Sequence, residues 1–401
     1  MKKVVVIGGG AAGFFAAINC AEKNPDFEIT LFEKSSSLLS KVKISGGGRC
    51  NVTYACFNAR ELVKNYPRGE KQLLGPFTRF NPSNTIQWFR QRDVEIKKQK
   101  DGRMFPVTDS SQTIIDCFLQ EAKRLGIKIK MQSGIEEMQS HNSGWQLKTS
   151  KGETNFADSV IVTSGSSHHI WGVLKKLGHK IITPVPSLFT FNIPDNYLKG
   201  LEGLSVDNAV VSVAAEKIFK SSGALLITHW GFSGPAILKL SAWGAVELAE
   251  KKYRFELYVN WINKNWADVV ATLKQSKLQA AKKNVQANPM FDIPRRLWEK
   301  FVEHSQIKSP LNFADLSNRQ IEMLASTLTA SVFSVNGKST FKDEFVTAGG
   351  VDLKEIDFTT MQSRKFPGLF FAGEVLNIDA ITGGFNFQAA WTTGYIAAIS
   401  V

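Results

Sequence analysis

Lys3-Val4-Val5-Val6-Ile7-Gly8-Gly9-Gly10-Ala11-Ala12-Gly13 decides the reading of this 401-residue chain. Four β-branched residues after the lysine are the pattern of a strand buried on both faces. Glycines at 8, 10 and 13 follow at once, and the alanine-rich residues 11–22 read as a helix. Strand, GxGxxG turn and helix is the context a dinucleotide-binding fingerprint requires. Gly8 permits the tight turn, Gly10 lets backbone amides approach a pyrophosphate, and Gly13 lets the helix pack closely on the strand. The helix N-terminus then faces the phosphates with free N–H groups and the positive end of its dipole.

Such a fingerprint needs an acid about 20 residues on, at the end of the next strand, to accept from a ribose diol. Residues 27–32 alternate like a strand and end at Glu33. An acid there disfavours a 2′-phosphate, so the adenosine belongs to FAD or NAD rather than NADP. A ribitol and a three-ring isoalloxazine extend far beyond the first loop and need further glycine-rich contacts. Ser45-Gly46-Gly47-Gly48-Arg49-Cys50-Asn51 supplies one, with Arg49 able to neutralise phosphate.

The far end of the chain repeats the logic. Residues 366–371 read as a buried strand, Gly373-Glu374 turns off its end, and Gly383-Gly384-Phe385-Asn386 opens a last alanine-rich helix to about Ser400. The acid is placed to accept from a ribitol hydroxyl. The helix N-terminus is placed to stabilise negative charge on the N1/O2 side of a reduced flavin.

Composition agrees with a folded, water-filled setting. Apolar residues are 43% and charged residues 21%, and no uncharged apolar run approaches about 18 residues, so neither disorder nor a membrane span fits. Four cysteines, at 20, 50, 56 and 117, form no CxxC pair, which argues against structural zinc or a disulfide framework and for a reducing, cytoplasmic setting. Met1-Lys2-Lys3 and the apolar stretch to Cys20 imitate a lipoprotein signal. Gly8, Gly9, Gly10 and Gly13 interrupt its apolar region, and Asn19 stands where a small residue is needed.

The sequence resembles the two-dinucleotide-binding-domain flavoproteins, and within them the bacterial BaiN-like family of NAD(P)/FAD-dependent oxidoreductases. The resembling stretches are VVVIGGGAAGFFAA, KVKISGGGRCNVT, GRMFPVTDSSQ, THWGFSGPAIL, VTAGGVDLKEI and GLFFAGEVLNIDAITGGFNFQAAWTTG, spread over residues 3–394. The resemblance implies an α/β, Rossmann-like FAD-binding domain of glutathione-reductase type, split by an inserted β domain plus a helical segment. It implies FAD contacts at Gly8, Gly10, Ala11, Ala12, Gly13, Glu33, Lys34, Ser45, Gly46, Gly47, Gly48, Arg49, Cys50, Asn51, Ile135, Ser164, Gly165, Gly373, Glu374, Gly384, Phe385, Asn386 and Phe387. Tyr54 replaces the family's usual Asn, and Ala380 and Phe385 replace a usual Gly and Tyr.

Between the ends, a helix is expected from Ser110 or Ser111, and residues 127–131, 135–138 and 145–149 look like a three-stranded meander. Residues 156–165 read as one buried strand. Alternating segments at 209–214, 225–228 and 254–261 suggest a small β domain, followed by helix from about 265 to 330. The expected division is 1–188 and 341–401 for the FAD domain, 189–262 for the β insert and 263–340 for the helical segment. The insert is expected to cover the flavin as a lid.

Catalytic residues are not evident. His229 is a candidate acid/base or substrate contact, against a plain structural role that its position favours. Cys50 is a candidate thiolate, against a small packing residue beside the flavin. No histidine shows metal-ligand spacing. The function expected is hydride transfer between flavin N5 and a small organic substrate, reduction of a C=C bond being what the resemblance implies. No second GxGxxG holds NAD(P)H, so either nicotinamide visits the flavin transiently or the reductant is another molecule. The alternatives are a flavin-dependent RNA-modifying enzyme, prompted by the net charge of +13, or a non-enzymatic flavin-binding redox module. The basic pairs noted, such as Lys97-Lys98 and Lys175-Lys176, are scattered and read as solvated surface rather than a nucleic-acid track.

Overall fold

Val4, Val5, Val6 and Ile7 carry no polar side chain to leave on either face, and in the computed structural model, which describes residues 1–194, 197–214, 218–339 and 346–401, each is at most 4% exposed. Their strand, Lys3–Ile7, pairs in parallel with Glu28–Phe32 on one side and Ser159–Val162 on the other. Lys128–Lys130 and Leu369–Phe371 extend the parallel sheet, and two short antiparallel strands, Ile356–Asp357 and Gln362–Ser363, finish one edge. The chain leaves the first strand to one side and returns on the other. That reversal opens a crevice at the carboxyl ends of Lys3–Ile7 and Ser159–Val162, the switch point where open α/β sheets take ligands.

The chain divides into two units, residues 1–185 with 346–401 and residues 186–345. In the first unit the helix Ala11–Lys23 follows the first strand, and the closing helix Phe385–Ser400 packs along it. Small residues permit this approach: a Cβ on Gly394 would lie 3.1 Å from the Ala12 carbonyl oxygen. Around the pair an aromatic cluster fills the core, with Phe15 to Trp88 at 4.6 Å, Phe15 to Trp391 at 5.3 Å and Phe118 to Trp391 at 5.6 Å between ring centroids. Phe118 comes from the helix Ser111–Arg124, whose N-cap is Ser110, as its sequence suggested.

Three local expectations change. Lys128–Lys130 joins the parallel sheet, so the antiparallel meander is instead Ile135–His141, Gly144–Thr149 and Thr154–Ala157. Residues 156–165 are not one strand: the chain passes from the meander at Ala157 to the parallel sheet at Ser159, with Asp158 between them. The strand expected at 366–371 is only Leu369–Phe371, because Pro367 offers no N–H and Gly368 turns with φ +74°.

In the second unit the strand Arg254–Asn260 pairs directly with Ser331–Asn336, which belongs to the stretch expected to be helical. The helices Trp266–Gln279, Arg295–His304 and Asn318–Thr329 are therefore an excursion between two neighbouring strands of one seven-stranded antiparallel sheet. Sheet and helices share one core. Trp261 and Trp298 are both fully buried, their indole N–H groups donating to Ser331 Oγ at 3.2 Å and the Val285 carbonyl at 2.7 Å.

Phe118→Ala should destabilise the first unit by about 3–5 kcal/mol, as large-to-small changes in well-packed aromatic cores do. Urea unfolding followed by tryptophan fluorescence reads this, and a cost below about 1 kcal/mol would show that the cluster collapses onto the gap.

Candidate functional site

The crevice is built by glycines with three different constraints. Gly8 has φ +114°, and a Cβ there would lie 2.6 Å from the Thr163 carbonyl oxygen. At Gly13 a Cβ would stand 1.9 Å from the Gly8 carbonyl oxygen, so any side chain would push the helix off the strand. Gly10 has nothing within 4 Å of its Cβ position and faces open space. It also caps Ala11–Lys23 without a side-chain hydrogen bond, leaving the first-turn N–H groups for an anion.

Glu33 is anchored rather than free. Its Oε2 accepts from the Gly9 amide at 2.7 Å, and its Oε1 from the Ser35 amide and hydroxyl at 2.8 and 2.9 Å. Fixed this way, Oε2 keeps a lone pair for a ribose hydroxyl, while both sites of Oε1 are engaged by Ser35. Lys34 is exposed and packs near Gly134. Ile135 is buried, and its carbonyl oxygen lies 3.1 Å from His169 Nε2. At the end of Ser159–Val162, Ser164 Oγ is buried with no hydrogen-bond partner, an orphan that a phosphate or ribitol oxygen would satisfy. Gly165, with φ +57°, follows it.

Residues 45–51 are not a simple loop. The helix Ser40–Gly48 breaks at Ser45–Gly47, and Gly46, Gly47, Gly48 and Cys50 all have positive φ. Gly46 is pressed under Phe105 and the Asn51 amide, whereas Gly47 and Gly48 face open space. Arg49 stacks over the Phe105 ring at 4.2 Å, with Asp109 4.0 Å away. Asn51 Oδ1 accepts from the Met104 amide at 3.3 Å. It lies 2.9 Å from the Cβ position of Gly384, and the Thr53 carbonyl oxygen lies 2.7 Å from that position, so only glycine fits where the closing helix begins.

That helix is locked to the loop from within. Asn386 holds the Ala380 amide and carbonyl at 2.9 and 3.1 Å, Trp391 donates to the Val52 carbonyl at 2.9 Å, and Thr53 Oγ1 donates to Gln388 at 2.6 Å. Phe385 turns its ring into the core, and its carbonyl accepts from Tyr66 at 2.6 Å. Phe387 stacks on Trp391. The two aromatic departures from the resembled family meet here, Tyr54 and Phe385 lying 4.7 Å apart between centroids.

Glu374 joins the same crevice. Its Oε1 accepts from the Thr347 amide at 2.9 Å, and its Oε2 pairs with Lys41 at 2.5 Å and sits 3.8 Å from the Cβ position of Gly165. Lys41 also reaches Ser166 at 3.3 Å. Lys41, Ser166 and Thr347 were missed in the sequence, since only folding brings them together. Arg68 and Asp379 were missed too: they form an ion pair in which Asp379 is fully buried, beside the loop that leads to Gly383.

The two catalytic candidates lie in different surroundings. Burial pushes the Cys50 thiol up to about 12, with a hydrogen bond to Ser45 working weakly against it, so the thiol stays protonated at neutral pH. His229 sits in the exposed turn between Ile218–Thr228 and Gly231–Ser233, within the second unit. Among the described residues no cluster of His, Cys, Asp and Glu is arranged to hold a metal, and no helix is long and apolar enough to cross a membrane.

The chain matches the HI0933-like protein Rossmann domain over residues 2–400. It belongs to that family, and with it to the FAD-dependent oxidoreductases. It is 26% identical to a ribosomal RNA dihydrouridine synthase of Haemophilus influenzae, over 99% of this chain and 98% of that one. It is 25% identical to a 3-dehydro-bile acid delta(4,6)-reductase of Clostridium scindens, over 99% and 98%. Among solved structures, a 3-ketosteroid delta1-dehydrogenase from Sterolibacterium denitrificans superposes with a TM-score of 0.52 at 10% identity, covering 99% of each chain, a likeness of fold.

Glu33→Ala should weaken FAD retention at least about tenfold, the worth of a charge-assisted hydrogen bond. Ultrafiltration with flavin fluorescence measures it, and unchanged retention would remove the ribose role. Native Cys50 should resist iodoacetamide at pH 8 and react only after unfolding, which peptide mass spectrometry reads; prompt native labelling would contradict its burial.

Proposed function

We propose that the crevice of the first unit holds FAD and that the enzyme reduces a C=C bond conjugated to a carbonyl. The observation that carries this is the convergence, at one sheet end, of open Gly10, anchored Glu33, the orphaned Ser164 hydroxyl, the positive-φ run 46–48 and the Gly384 helix start. These residues fit the group from its adenosine end to its ring end. When bound, FAD supplies hydride from N5, with NAD(P)H as the transient source of electrons.

The protein's part is binding and electrostatics. Gly10 and the N-terminus of Ala11–Lys23 take the pyrophosphate, Glu33 the ribose, and Ser164 with Glu374 the polar linker between. Lys41, already paired with Glu374, holds that carboxylate in place. The N-terminus of Phe385–Ser400 offsets negative charge at the N1/O2 edge of the ring. Hydride adds to the carbon β to the substrate carbonyl and a proton from solvent or an acidic group to the α carbon, which leaves a saturated bond.

Both relatives support the shared chemistry, since making dihydrouridine from uridine and reducing an unsaturated bile acid each saturate a conjugated C=C bond. A small enone is the substrate this reading favours. A second reading, in which the bond belongs to a uracil ring in RNA, is favoured by the net charge of +13.

Purified protein should be yellow or become so on incubation with FAD, and anaerobic NADH or NADPH should bleach it. The reduced enzyme should then be reoxidised by a steroid enone or by a uridine-containing RNA, the product gaining two hydrogens by mass spectrometry. A protein that cannot be loaded with FAD would overturn the reading. So would a reduced flavin that no conjugated C=C reoxidises.

A further inference from the structure

The positive charge is not spread evenly along the chain. Residues 41–103 hold 14 Lys and Arg against 5 Asp and Glu, a net +9 of the +13. Within that stretch Lys43, Arg60, Lys71, Arg90, Lys98 and Lys100 are exposed and have no acidic or carbonyl partner among the described residues. An exposed cation without a partner stabilises nothing in the fold. Several in one stretch are a reservoir for an anionic partner.

One of them lines a groove. Phe57, Ser83, Ile86, Gln87, Arg90 and Gln91 surround a space of about 600 Å³ in the first unit. Phe57 is 49% exposed, unusual for so large an apolar ring, and lies just before the helix Ala59–Val63 that carries Arg60. The remaining residues come from the helix Pro82–Arg90 and its C-cap Gln91, spaced three or four apart so that they form one stripe. The opposite face of that helix, Thr85, Trp88 and Phe89, is buried in the aromatic core and in the Gln388 network, so the stripe is held rigidly.

An aromatic face, an aliphatic edge, two primary amides and a free guanidinium is the set that takes an unpaired nucleobase with its phosphate. A ring could stack on Phe57, the amides of Gln87 and Gln91 could pair with its polar edge, and Arg90 could receive a flanking phosphate. A membrane surface would need a broad apolar face beside the charge, and Phe57 and Ile86 are the two large apolar side chains that line this groove.

We propose that this groove is a docking site for single-stranded RNA, separate from the flavin crevice, through which an RNA substrate is held while one of its bases is reduced. The inference rests on RNA being the substrate. Base stacking on Phe57 and charge on Arg90 make it readable without turnover.

The test uses FAD-loaded enzyme and a fluorescein-labelled, unstructured RNA of about 12 nucleotides, a length typical of single-strand sites, followed by anisotropy across a salt series. Arg90→Glu should weaken binding at least about tenfold and flatten the salt dependence, and Phe57→Ala should weaken it about fivefold or more, as removal of a stacking platform does. The same charge reversal at exposed Lys175, away from the groove, should change affinity less than about twofold, the level of a diffuse charge effect. Reduction of bound flavin by NAD(P)H should be unaltered in all three variants, which shows that they fold. Absence of RNA binding by the parent protein at low salt overturns the proposal. Equal weakening by Lys175→Glu, or tighter binding to phosphatidylserine vesicles than to RNA, also overturns it. A parent that binds RNA in this pattern but whose flavin reduces no C=C bond would leave the groove standing and remove the reductase reading instead.

Discussion

The distance between Gly13 and the Gly8 carbonyl constrains everything around it. A Cβ at Gly13 would lie 1.9 Å from that oxygen, so the first helix rests on the first strand at backbone contact. The same helix meets the rest of the unit at equally shallow points, with the Cβ position of Gly373 2.9 Å from the Ala12 side chain and that of Gly394 3.1 Å from the Ala12 carbonyl. Because the helix sits this deep, its N-terminus opens onto the end of the sheet, where its unpaired amides can act on an anion. The chain's last helix can come close enough to complete the site.

Polar tethers then hold the two distant pieces in register. Thr163 Oγ1 donates to the carbonyls of Ile7 and Gly8, Gln388 ties Thr53 to Thr85, and Arg68 meets the fully buried Asp379. Removing one partner of such a buried ion pair costs about 3–5 kcal/mol, whereas replacing both by apolar groups can be neutral. The pair therefore specifies the path of the loop before Gly383 more than it stabilises the fold. His179 plays a similar part at the sheet edge: its Nδ1 meets Glu355 at 2.7 Å and its Nε2 meets Ser363 at 3.2 Å, while burial holds its pKa below the ordinary value.

Two of the three substitutions that set this sequence apart from the family it resembles, Tyr54 and Phe385, meet in the folded chain. Tyr54 and Phe385 come from segments more than 300 residues apart, yet their rings pack together and Tyr54 donates to the Asp101 carbonyl at 2.7 Å. A pair that packs together can change together without reshaping the backbone around Gly384.

The first strand, the fingerprint turn, Glu33 at the end of the second strand and the glycine-opened closing helix were legible in the chain's local pattern. Each of these is written in local periodicity or in a residue whose backbone freedom is needed at one place. Where segments far apart in sequence must meet, local pattern carries no signal. That is why Lys41 with Glu374, Arg68 with Asp379, the transfer of Lys128–Lys130 to the parallel sheet and the return of Ser331–Asn336 to the strand Arg254–Asn260 were decided only by the tertiary structure. The same holds for Cys50, which its neighbours in sequence leave open between thiolate and packing residue and whose thiol burial keeps protonated. Dielectric surroundings belong to the folded volume, not to the chain.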